Sequence, residues 1–150
     1  MQLNSGIAER PASTRAAERA LLGWMLLYLL ASLAHFVHNA YELQHYPHMP
    51  SWLSGSAVMG AWLGLSALGA LGFWLYRSVS TPWGLALIAL YGLCGLDALA
   101  HYAVAPFAAH TLAMHATIIG EALAGVALAG VVLRYSPVLM RVQVRVRSRA

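Results

Sequence analysis

Between Gly55 and Tyr76 the chain carries no charged residue. A run of that length matches the roughly 20 apolar residues that a helix needs to cross a bilayer core. Three more apolar runs accompany it, at about residues 20–39, 83–105 and 111–133. Backbone groups surrounded by hydrocarbon must bond within their own segment, so four such runs imply four transmembrane helices. The expected fold is all-α, an integral membrane four-helix bundle. Composition agrees, because the chain is 60% hydrophobic and 9% charged, whereas soluble domains are about half apolar and a quarter charged. With 150 residues there is length for one domain. The expected organisation is a polar tail over 1–19, a membrane domain over 20–134 and an Arg-rich tail over 135–150.

The net charge of +4 would suit a nucleic-acid partner, but its distribution does not. All nine basic residues are Arg, and they lie in the N-terminal tail, at Arg77, at Arg134 and in the C-terminal tail. The connections over 40–53 and 105–110 contain none. Positive charge collects on the cytoplasmic side of membrane proteins. The expected topology is therefore N-in and C-in, in a bacterial inner (plasma) membrane, with the bilayer as the partner and no nucleic acid. Trp24, Trp74, Tyr76 and Trp83 would form one aromatic belt, and Trp52, Tyr102 and Phe107 the other.

Small residues at helical spacing, Gly60 with Gly64 and Gly120 with Ala124, are expected at helix contacts. Gly60 and Gly64 would serve either the bundle itself or a homo-oligomer. The single cysteine, Cys94, excludes an intrachain disulfide and a CxxC site. Ser32-Leu33-Ala34 resembles a signal-peptidase site, but no polar break follows the apolar stretch before it.

Seven histidines carry the functional argument. In the expected topology, residues 35, 38, 45, 48, 101, 110 and 115 all fall in outer loops or the outer halves of spans. His35 and His38 share a helix face with Tyr28, and also with Glu42 and His45 if the first helix continues past Asn39. Asp97 and His101 have the i,i+4 spacing that puts two side chains on one face. At about 1.5 Å per residue, His35, His101 and His115 reach a common level, with His38 and His110 above and Asp97 and Glu121 below. His110 and His115 cannot face one centre on a regular helix, so His110 is expected in the turn. Imidazole ligates Cu, Zn and Fe, and three His from separate helices leave an open coordination position.

The expected function is thus a transition-metal site near the outer face, in a metal-dependent oxidoreductase or a metal-handling protein. Candidate ligands are His35, His38, His101, His110, His115 and Glu42, with Asp97 and Glu121 as catalytic, proton-handling groups. Ionisable residues within a membrane are functional by default. One alternative is a haem b electron carrier, with two His clamping the iron and the many Gly and Ala making room. Another is a lipid or small-molecule binder or isomerase using Asp97 and Glu121 as acid and base.

HFVH at 35–38 and HTLAMH at 110–115 look like fragments of the histidine boxes of membrane fatty-acid desaturases and hydroxylases. Those enzymes carry HxxHH boxes, absent here, and hold them on the cytoplasmic side. The multi-His layout is similar to small b-type cytochromes, and the intramembrane acids are similar to those of a sterol-isomerase-like four-helix family. No motif selects among them.

Overall fold

A computed structural model describes residues 11–147. Residues 1–10 and 148–150, where parts of both expected tails fall, lie outside the described residues. The elements are α1 (Ala12–Tyr41), α2 (Gly55–Ser78), α3 (Thr81–Cys94), a 3-10 segment (Gly95–Ala100), α4 (His101–Val104), a 3-10 turn (Phe107–Ala109) and α5 (Leu112–Arg147). Four helical segments are long and apolar enough to cross a membrane: Ala12–Tyr41, Gly55–Ser78, Thr81–Val104 and Leu112–Met140. The fold is all-helical among the described residues, as expected. The third span is not one regular helix, since α3 tightens to 3-10 geometry at Gly95 before α4 resumes.

The spans pack in a ring, α1 against α2 and α5, and α3 against α2 and α5. Local chemistry marks the ends. Ser54 caps α2 by accepting from the Ala57 N–H at 3.2 Å, and Pro82 occupies the first turn of α3, where its missing N–H costs nothing. At the end of the bundle carrying Arg77, the Tyr76 hydroxyl donates to Glu18 Oε1 at 3.2 Å. Arg77 lies 3.7 Å from the same carboxylate. The core at this end gathers Ala17, Leu21, Tyr28, Leu85, Ile88, Tyr91, Leu128 and Leu139.

Both outer helices run beyond the limits expected from hydropathy. Helix α1 begins at Ala12, inside the stretch expected as a tail, with Thr14 and Ala17 buried. Ser32, Leu33 and Ala34 lie well inside this helix. Helix α5 passes Arg134 and continues to Arg147 with Pro137 inside it. Proline cannot bond the carbonyl four residues back, and the Ser136 hydroxyl donates to that carbonyl, Leu133 O, at 3.1 Å.

Apart from Gly55, which abuts Ala40, the described glycines divide into two sets. Gly69, Gly72, Gly84, Gly92, Gly95 and Gly125 sit at helix contacts, and a Cβ on Gly125 would collide with the Gly92 carbonyl. Gly23, Gly60, Gly64, Gly120 and Gly130 are exposed, and a Cβ there would meet nothing within 4 Å. Gly60 and Gly64 therefore do not pack the bundle. Gly120 is exposed while Ala124 is buried, so these two do not form one contact face. The α3–α5 approach is made by Gly92 and Gly125 instead.

Candidate functional site

The end of the bundle opposite Arg77 holds the histidines. Helix α1 brings His35, His38 and Asn39 there, and α4 brings His101. His110 stands in the turn before α5, as its angular conflict with His115 requires. His35, His101, His110 and Glu121 are all buried, and Glu121 has no exposed surface. His35 Nε2 lies 3.9 Å from Glu121 Oε2. The rings of His35 and His101 are 5.4 Å apart, centroid to centroid, and those of His101 and His110 are 6.3 Å apart.

Each of these three imidazoles has one nitrogen facing a protein group and the other buried without a hydrogen-bond partner. For His35, Nε2 faces Glu121 and Nδ1 is unpartnered. For His101, Nε2 lies 3.3 Å from the Asn39 amide nitrogen and Nδ1 is unpartnered. The Asn39 amide N–H donates to His101 Nε2, so the imidazole proton of neutral His101 sits on the unpartnered Nδ1, and Asn39 Oδ1 is itself buried without a partner. For His110, Nδ1 lies 3.2 Å from the Pro106 carbonyl, which can only accept. Nδ1 therefore carries the proton, and the unpartnered Nε2 keeps its lone pair. Both carboxylate oxygens of Glu121 are also buried without a hydrogen bond. Unpartnered polar atoms at such density are unusual, because most buried ones find a partner.

Other predicted residues fall elsewhere. His115, expected to converge with His35 and His101, stacks on Phe107 at 3.8 Å. Its Nδ1 bonds the Tyr102 hydroxyl at 2.8 Å. His38 Nδ1 bonds the Tyr46 hydroxyl at 2.9 Å. Glu42 pairs with His45 at 2.8 Å in an exposed contact, because α1 ends at Tyr41 and Glu42 has left the helix. Asp97 is exposed. The 3-10 segment has three residues per turn rather than 3.6, so four steps from Asp97 no longer return to the face of His101. Asp97 is thus on the outer surface of the bundle, where it does not orient His101. His48 is exposed in the loop, with a positive φ of 59°.

Two participants went unnoticed in the sequence. Asn39 was legible in principle, since it lies four residues after His35 on the same face. Tyr46 gave no signal. It is buried in the 42–54 connection, with its ring 4.8 Å from that of His101. It packs with Ala98, Met114 and Ile118, and Met49 and Tyr102 pack against that group. Burial pushes its phenol above the ordinary value of 10.0, against a hydrogen bond to the Thr117 side chain that lowers it, and the Glu42 carboxylate adds to the rise.

Among the described residues, no three His, Cys, Asp or Glu side chains are grouped so as to hold a metal ion as they stand. No protein-family model, curated protein or solved structure matches the chain.

Proposed function

We propose that this chain is a four-span protein of the bacterial inner membrane, with both termini cytoplasmic, and that it binds a transition-metal ion near the periplasmic face. The ligands would be His35, His101 and His110, and the function metal handling or metal-dependent redox chemistry. The observation that carries this reading is the state of the three imidazoles. Each is buried, faces a protein group at one nitrogen and has no hydrogen-bond partner at the other. Metal-bound His is commonly held in this way, with its second nitrogen fixed by a carboxylate, a backbone carbonyl or a similar group. Glu121 and the Pro106 carbonyl would fill those roles, and Asn39 would do so with its amide turned to present the unpartnered Oδ1 to His101 Nε2.

The ring separations fit small adjustments of the side chains. Two imidazoles on one tetrahedral ion, with metal–nitrogen distances of about 2.0–2.1 Å, place their ring centroids roughly 5 Å apart. His35 and His101 are already at 5.4 Å. His110, at 6.3 Å from His101, would move inward from its turn. Three imidazoles leave a position open for water, a substrate or a transfer partner. The orientation rests on the Arg residues, which avoid the connections beside the histidines. Gly60 and Gly64, lying on the outer surface, are the proposed contact if the protein forms a homo-oligomer.

The test is elemental analysis with an optical spectrum on detergent-purified protein. One Cu, Zn or Fe per chain, lost in a His35→Ala/His101→Ala double variant, is the expected result. Full metal content in that variant would exclude this ligand set. A Soret band would move the assignment to haem.

A further inference from the structure

The buried imidazoles do not open directly to the loop end of the bundle, because Tyr46 stands over them. Its ring lies 4.8 Å from His101, and its hydroxyl bonds His38 Nδ1 at 2.9 Å. His38 is only partly buried, so it marks the boundary between the interior and the loop surface. Beyond it lie the partly buried Glu42 and the exposed His45. From that surface inward, the residues able to bind a metal become steadily less exposed. The His45 side chain is 73% exposed and that of Glu42 46%, while His101 is 9% exposed and His35 3%. Tyr46 is 3% exposed and lies between the two groups.

We propose that Tyr46 is a gate, latched to His38, that closes the buried imidazoles off from the loop surface and opens to let a metal ion in or out. Its purpose rests on the metal reading above, but the geometry of the gate does not. The Tyr46 hydroxyl is held by His38, and the Thr117 side chain on α5 also hydrogen-bonds it. The rest of the closure is the packing of Tyr46 against Ala98, Met114 and Ile118, with Met49 alongside. Tyr46 is the one fully buried residue of the connection, with Glu42, Leu43, Pro47, Met49 and Leu53 partly buried, while Gln44, His45, His48, Pro50, Ser51 and Trp52 are exposed. A segment anchored chiefly by one buried ring can swing away without disturbing the spans. The Glu42–His45 pair offers oxygen and nitrogen donors at the mouth, where an arriving ion would first lose water.

The experiment uses the metal-free full-length protein in detergent and an imidazole-acylating reagent, diethyl pyrocarbonate, with modified residues located by mass spectrometry. In the wild type, His45 and His48 should react quickly while His101 and His35 stay protected. In Tyr46→Ala, His101 should react at least tenfold faster, with His35 still protected behind it. Tyr46→Phe keeps the ring and loses the latch, so its His101 should react at a rate between the two. If Tyr46→Ala exposes His35 together with His101, the bundle has loosened, and Tyr46→Phe decides the question. Wild-type His101 reacting as fast as His45, or an unchanged His101 rate in Tyr46→Phe, would overturn the gate. Loading with Zn or Cu then separates the two readings. A gate over a metal site predicts faster uptake and faster loss to chelator in Tyr46→Phe at unchanged stoichiometry. Labelling as expected with no metal bound would leave the gate standing and remove the metal site.

Discussion

Asp97 is exposed while His101, four residues later, is buried against the ring of Tyr46. The 3-10 segment between them turns the two side chains onto different faces. Among the described residues, the carboxyl group that directly faces a buried histidine is that of Glu121. Substituting Asp97→Asn should leave metal content unchanged, whereas His101→Ala should lower it to background. Elemental analysis of both variants, purified side by side, checks this. Metal loss in Asp97→Asn would return that residue to the site.

In the proposed site Glu121 would act through His35, whose Nε2 it faces at 3.9 Å. Removing a group that orients a metal-bound His typically weakens affinity by roughly 10–100-fold. Glu121→Gln keeps the shape of the side chain and loses the charge. Its metal affinity, measured by competition with a chromophoric chelator, should fall within that range, with stoichiometry at saturation unchanged. An unaltered affinity would mean that Glu121 serves packing or another chemistry.

His110 and His115 offer a sharper comparison, since they sit five residues apart and their rings are 5.7 Å apart. His110 presents a buried, unpartnered Nε2, while His115 is held between Phe107 and Tyr102. His110→Ala should reduce metal affinity at least tenfold. His115→Ala should spare it and cost stability through the lost stacking and hydrogen bond, about 1 kcal/mol for the bond. The reverse pattern, seen by chelator competition and thermal melting of both variants, would place the ligand on α5 and not in the turn.

The four spans were legible because hydropathy depends only on composition along the chain. Gly55–Tyr76 was expected as a span, and α2 covers Gly55–Ser78. The stripe of Tyr28, His35 and His38 was legible too, because α1 stays helical to Tyr41 and the 3.6-residue period applies throughout. Prediction failed where that period changes. Nothing in Gly95–Ala100 announces a 3-10 turn, and the shift appears where Gly95 packs closely against Tyr28 and the Glu121 backbone. The expectation for Glu42 failed one residue past a helix end. The place of Tyr46 was hidden for a different reason, since it depends on a long connection folding back over α4, and local spacing carries no record of that. The ends of α1 and α5 were missed because charged residues there mark a change of solvent and not the end of a helix.

Gly92 and Gly125 set how closely α3 approaches α5, and that approach carries Glu121 to the bundle interior one turn away. A Cβ on Gly125 would meet the Gly92 carbonyl, a backbone atom that cannot rotate aside. Gly125→Ala should therefore force the helices apart, at about 1–3 kcal/mol, the usual scale of overpacking. Gly120→Ala is the internal control, because its Cβ meets nothing within 4 Å and helix propensity favours Ala by about 1 kcal/mol. Thermal melting in one detergent should show Gly125→Ala below the wild type and Gly120→Ala equal to it or above. The metal adds a second readout. Saturation at 100 times the dissociation constant stabilises a native state by about 2.7 kcal/mol. Gly120→Ala should keep the full increment, and Gly125→Ala should keep less of it, since a displaced α5 carries Glu121 away from His35. A full increment in Gly125→Ala would show that the histidines bind their ion independently of how α3 and α5 are spaced.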